Sequence, residues 1–171
     1  PKTLEFQNKF SKKIKTNYSL LVNSGSSANL LAMQCLINPY RKKRLKIGDE
    51  ILIPSLCWST SLWPIIQSGL KPKFVDVEKE TLNLDLNDLR KKMSKNSTGI
   101  MLVHVLGNCT NMDELMNIIK KYNLILIEDT CESLGTTYKN KYLGTFGEFS
   151  SFSFYSSHQI SSGEGGMICC K

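Results

Sequence analysis

The sequence predicts an α/β domain, a mainly parallel, mixed sheet with helices on both faces. Three observations predict it. Apolar runs of strand length alternate with segments of helical period along most of the 171 residues, the pattern of strand–helix–strand units. Several runs are apolar without alternation, Ile100-Met101-Leu102-Val103 and Leu124-Ile125-Leu126-Ile127 among them, which suits strands covered on both faces. The composition is 41% hydrophobic and 22% charged, a foldable balance that excludes a disordered or collagen-like chain. At this length residues 1–171 are expected to form one domain.

The elements follow in order. Tyr18–Ser24 reads as a strand and Ser26–Leu36 as a helix. Glu50–Pro54 is a strand, and Trp58–Gln67 a short helix that Pro64 limits to one or two turns. Lys73–Val77 is a strand, Leu84–Met93 a helix, Ile100–Leu106 a strand, Met112–Tyr122 a helix and Leu124–Asp129 a strand. The pattern then changes. Thr136–Tyr142 resembles a hairpin around Lys139-Asn140, and Phe149–Tyr155 and Gly166–Cys170 are two further strands. The sequence stops inside that last apolar segment, so a C-terminally incomplete chain is expected. Pro1 in place of Met leaves the true start open.

Charge and cysteine usage narrow the function classes. Lys and Arg number 22 against 15 Asp and Glu, a net charge of +7. The densest basic run, Arg41 to Lys46, has no interleaved aromatic residues. It reads as a solvated loop, with a polyanion site as the alternative, and no nucleic-acid partner is expected. No apolar run approaches the roughly 18–20 residues that span a bilayer, so no membrane segment is expected. The six cysteines form no C-x-x-C pair and mostly sit in apolar segments. They read as reduced, buried thiols of a cytoplasmic protein, with neither a disulfide framework nor a metal site.

Four segments could carry chemistry. Asn23-Ser24-Gly25-Ser26-Ser27-Ala28-Asn29 lies at a strand-to-helix junction. Ser26 and Ser27 there offer hydroxyls and free backbone N–H groups to a phosphate, or they simply cap the helix. Ile127-Glu128-Asp129-Thr130-Cys131-Glu132 lies at the carboxyl end of a strand, where open α/β sheets bind ligands. Asp129 could hold a positive ring nitrogen or cap the next segment. Ser153 to Gly166 combines His158, several hydroxyls and the run Gly163-Glu164-Gly165-Gly166, which either cradles a ligand or turns the chain. Trp58, in Ser55-Leu56-Cys57-Trp58-Ser59-Thr60, could stack on a flat ring or pack in the core. His104, inside an apolar run, reads as a hydrogen-bonded core residue.

Taken in this order, the four segments resemble the sugar aminotransferase and dehydratase family of pyridoxal-phosphate proteins. Pro64-Ile65-Ile66-Gln67, Phe74-Val75-Asp76-Val77, Leu106-Gly107-Asn108 and Gly144-Thr145-Phe146-Gly147 extend the match over nearly the whole chain. The ordered set, not a single motif, carries the resemblance. It implies the large, cofactor-binding domain of the aspartate-aminotransferase fold, with the smaller C-terminal domain missing. It implies Ser26, Ser27 and Ser153 on the cofactor phosphate, Asp129 at the pyridinium nitrogen, Trp58 over the ring, and Glu132 on the ring-hydroxyl side. Where the aminotransferases keep the lysine that bonds the cofactor, this chain has His158.

That exchange is similar to the 3-dehydratase branch, which acts on nucleotide-linked 4-keto-6-deoxy sugars for deoxysugars of lipopolysaccharide O-antigens. Imidazole cannot form an imine but moves protons near neutral pH. The resemblance implies that His158 is catalytic, working with pyridoxal or pyridoxamine phosphate in a cytoplasmic homodimer. It also implies a helper: glutamate in the GDP-sugar sub-branch, an iron–sulfur reductase in the CDP-sugar one. A relative with other pyridoxal-phosphate chemistry, or a non-catalytic remnant of the fold, are the alternatives.

Overall fold

The first strand, β1 (Tyr18–Val22), is followed by a helix that starts at a serine cap, and this strand–helix alternation builds most of the chain. In the computed structural model, which describes residues 1–171, the helices are α1 (Lys2–Ile14), α2 (Gly25–Ile37), α3 (Ser59–Gln67), α4 (Leu86–Lys92) and α5 (Met112–Tyr122). The remaining strands are β2 (Glu50–Pro54), β3 (Lys71–Val75), β4 (Ser97–Val103), β5 (Ile125–Asp129), β6 (Thr137–Tyr138), β7 (Lys141–Tyr142), β8 (Phe149–Ser153) and β9 (Gly166–Cys170). Seven strands form one sheet in the order β1-β9-β8-β5-β4-β2-β3. Pairs β2–β3, β2–β4, β4–β5 and β5–β8 are parallel; β9 runs antiparallel to both neighbours. The expected mainly parallel, mixed sheet is what the chain forms.

Burial on both faces explains the unbroken apolar runs. Ile51, Ile53, Met101, Ile125 and Ile127 pack with Ala28, Met33 and Leu36 of α2. Their alternates Leu52, Ile100, Leu102 and Leu126 pack with Leu89 of α4 and Leu115 and Ile119 of α5. Side chains of a strand alternate between faces, so one run feeds two cores.

Helix α1 is the element the sequence reading missed. Its long polar stretch carries only a narrow apolar stripe, ending in buried Phe10 and Ile14. Those two pack on Phe152, Phe154 and Met167, with the Phe10 ring edge-on to Phe152 at 5.1 Å. Other differences are at the ends. Strand β3 begins at Lys71, because the edge position leaves Pro72 free of a second ladder. Helix α4 starts at Leu86, where the Asp85 side chain accepts N–H groups of Asn87 and Asp88. Strand β4 ends at Val103, since the chain turns through Leu106 at φ 53°. The hairpin turns at Lys139-Asn140, both at positive φ, as a type I′ turn requires.

The basic run is partly engaged. The Arg41 guanidinium pairs with Glu148 and lies 5.5 Å over the Phe149 ring, while Lys43 reaches Asn123. The cysteines are all free, but only Cys169 is fully buried and the other five are half-buried, a correction to the uniformly buried expectation. They sit on strand ends and helix flanks where packing is incomplete.

Candidate active site

The site is assembled at the carboxyl ends of β4, β5 and β8, beside the start of α2. Ser24 caps α2: its hydroxyl accepts the Ser27 N–H at 3.1 Å and donates to the Ser27 hydroxyl. Capping therefore falls to Ser24, two positions before the expected pair. The first-turn N–H groups have no partner within the helix, and Ser26 is left exposed at the cavity.

This loop is clamped from behind. Ser24 bridges to Gly165, and a Cβ on Gly166 would come within 2.3 Å of the Ser24 carbonyl. A Cβ on Gly25 would meet the Cys131 Sγ at 2.7 Å and the Ser153 Cβ at 2.8 Å. The glycines thus serve close approach of three segments, not chain freedom.

A cavity of about 530 Å³ opens here. Of the seven residues singled out from the sequence, Ser26, Trp58, Asp129, Glu132, Ser153 and His158 line it. Ser27 does not; its N–H and hydroxyl both engage the Ser24 side chain. No lysine is among the lining residues. Trp58 precedes α3 and is 73% exposed at the mouth. His158 sits edge-on to Tyr155 with ring centroids 6.1 Å apart. Its loop is tied to the next wall by the Gln159 amide, which donates to the Glu132 carbonyl. The Glu132 carboxylate in turn accepts the Leu106 N–H at 3.1 Å, holding that left-handed turn.

Asp129 ends β5 almost fully buried. Its Oδ2 accepts from the Asn29 amide at 2.8 Å and the Ser61 hydroxyl at 2.7 Å; its Oδ1 accepts the Cys131 N–H at 3.1 Å. Burial, with the Asp129 charge added, pushes the Cys57 thiol up and the Cys131 thiol well up. Both are therefore uncharged at neutral pH and poor nucleophiles.

Directly below, Glu128 and His104 form a fully buried pair at 3.0 Å, in line with the core role expected for His104. Glu128 also accepts N–H groups of Gly144, Phe146 and Gly147. Burial pushes its carboxyl up, but the hydrogen bond and charge of His104 and the N–H groups of Gly147 and Gly144 outweigh it. The carboxyl ends below the usual glutamate range. The run Gly144 to Gly147 is thus a loop wrapped on a buried anion. Sequence reasoning missed Asn29, Ser61 and Glu128 as parts of this assembly. Asn29 and Glu128 lay inside the segments singled out, while Ser61 gave no signal.

A mostly parallel sheet with a capped helix start, a strand-end carboxylate and an exposed indole at the mouth of a cavity defines an α/β domain with a ligand-sized site at its strand ends. The chain belongs to the DegT/DnrJ/EryC1/StrS aminotransferase family, whose profile matches residues 1–171. It is 43% identical over 164 residues to the GDP-4-keto-6-deoxy-D-mannose 3-dehydratase of Escherichia coli O55:H7, covering 96% of this chain and 42% of that protein. It is 41% identical over 164 residues to the dTDP-4-dehydro-2,6-dideoxy-D-glucose 3-dehydratase of Saccharopolyspora spinosa, covering 95% of this chain and 36% of that protein. A solved GDP-4-keto-6-deoxymannose 3-dehydratase with a trapped PLP–glutamate geminal diamine matches at a TM-score of 0.95 and 41% identity, over 99% of this chain and 44% of that one. The chain thus spans less than half the length of these relatives.

Proposed function

We propose that the protein containing this chain is a pyridoxal/pyridoxamine-phosphate-dependent 3-dehydratase for a nucleotide-linked 4-keto-6-deoxyhexose. The observation that carries the reading is a cavity with His158 on the loop after β8 and no lysine in its wall. The relatives named above are 3-dehydratases. The residues present fit the cofactor. The uncapped first-turn N–H groups of α2, the Ser26 hydroxyl and Ser153 suit a phosphate, and Asp129 lines the cavity as a carboxylate acceptor.

Bound here, the cofactor supplies an amine for the 4-keto carbon and an electron sink for loss of the 3-hydroxyl. The chain's own residues do the rest. Ser26 and Ser153 would hold the phosphate, Asp129 would accept from the ring nitrogen, Trp58 would cover the ring, and Glu132 would serve the ring-hydroxyl side. His158 would carry the proton between the cofactor's methylene carbon and the departing 3-hydroxyl oxygen. Glutamate is the natural amine source, since a similar enzyme was trapped with a PLP–glutamate adduct. The exposed Trp58 and Leu106 beside the cavity favour a homodimer with the mouth at the subunit boundary. Six free thiols favour the reducing cytoplasm.

The test uses the full-length protein with pyridoxamine phosphate and a 4-keto-6-deoxy nucleotide sugar. The expected result is a change in cofactor absorbance and a product lighter by one water. An unchanged spectrum and unchanged sugar overturn the reading.

A further inference from the structure

Strand β5 delivers Asp129 to the cavity, but nothing in β5 itself fixes how the carboxylate points. That is done from two helices. Asn29 of α2 and Ser61 of α3 are 1% and 0% exposed, and buried side chains of this polarity persist only with partners. Both place a donor on the same oxygen, Asp129 Oδ2, at 2.8 and 2.7 Å. An ionised carboxylate has about four lone-pair sites, two on each oxygen. Oδ2 is then full. Oδ1 accepts the backbone N–H of Cys131, and the neutral Cys131 thiol, a weak donor, also lies against this carboxylate.

The Asn29 amide has only one workable orientation. Its NH₂ also donates to the Thr60 carbonyl at 3.3 Å. Pro64, four residues on, has no N–H to give that carbonyl, so Asn29 replaces the missing helical bond. Flipping the amide would set Oδ1 of Asn29 against two acceptors. As it stands, that oxygen is buried without a partner, a cost borne for what the NH₂ does. The same amide fastens the first turn of α3, and so Trp58 just before it, to Asp129. The titratable neighbours are the Cys57 and Cys131 thiols, which bring no charge at neutral pH, and Glu132, whose Oε2 accepts the Leu106 N–H.

We infer that Asn29 and Ser61 are positioning residues that fill Oδ2 of Asp129, leaving Oδ1 as the single acceptor for a protonated ring nitrogen. This rests on the cofactor reading above. The test uses full-length apoprotein, pyridoxal phosphate carrying an isotopic label at the ring nitrogen, and the variants Ser61→Ala, Asn29→Ala and Asp129→Asn. Two quantities are read: the dissociation constant for the cofactor and the ring-nitrogen NMR resonance. Loss of a hydrogen bond to a charged group predicts a dissociation constant about tenfold higher in Ser61→Ala and in Asn29→Ala. The resonance should move toward the unprotonated position in both.

A merely structural role would lower thermal stability and leave that resonance in place. If Asp129→Asn moves both readouts and Ser61→Ala moves neither, the clamp is wrong while the site reading stands. If Asp129→Asn also moves neither, the site reading fails and the clamp with it. Ser61→Ala removes one oxygen only, so it decides the matter even where Asn29→Ala does not fold.

Discussion

At the scale of single residues, His158 and Asp129 divide the proposed chemistry. An imidazole with both ring nitrogens free of protein partners is available to carry a proton. His158→Asn should therefore lower dehydration turnover by ~10²–10⁴-fold, the usual worth of a general acid–base group. Steady-state kinetics on the full-length protein would show it, and a variant within a factor of two of wild type removes His158 from that role. His158→Lys restores an amine able to bond the cofactor. It should give a protein from which borohydride-treated cofactor cannot be dialysed, with dehydration suppressed; persistent dehydration refutes the assignment.

At the scale of elements, the site depends on how closely two loops approach. The start of β9 lies against the Ser24–Gly25 peptide, and a Cβ at position 166 would sit 2.3 Å from the Ser24 carbonyl carbon. Backbone on both sides leaves nothing flexible to yield. Gly166→Ala should cost about 1–3 kcal/mol of stability by overpacking, and should weaken cofactor retention more than a core change of equal cost. Paired denaturant melts and cofactor titrations against Ile65→Val would separate the two effects. Equal retention in both variants would argue that the loop position is not what Gly166 protects. The cap itself is a second handle. Ser24→Ala should cost about 0.5–2 kcal/mol, read as a lower urea midpoint.

At the scale of the whole molecule, the buried Glu128–His104 pair joins β4, β5 and the Gly144–Gly147 loop beneath the cavity. The Glu128 carboxyl is lower in the folded chain than its usual value of 4.5. The unfolded chain therefore binds the proton more readily as pH falls. The stability this gives is complete above about pH 4.5 and is lost as pH drops through the lower folded value. Glu128→Gln should be destabilised at neutral pH, and its deficit against wild type should shrink below pH 4.5. Urea midpoints measured across that range would check it, and a deficit that does not depend on pH would show that shape, not charge, is what Glu128 supplies.

The amino-acid order by itself determined the alternating architecture, because short unbroken apolar runs such as Ile100 to Val103, set between segments of helical period, suit strands buried on both faces. It also determined the turn at Lys139-Asn140, since two adjacent positive-φ residues act through local backbone geometry; the site residues were singled out through the ordered motifs of a family resemblance, and only the fold brings six of them to one cavity. Helix α1 escaped, because its stripe has meaning only against Phe152 and Phe154. The partition of the serines, with Ser24 capping and Ser26 facing the cavity, was decided by three-dimensional placement. So were the convergence of Asn29 and Ser61 on Asp129, separated by 100 and 68 positions along the chain, and the burial of Glu128. Hydrogen bonds between distant segments leave no periodicity behind, and only the packing of two helices on the strand ends brings their donors within reach.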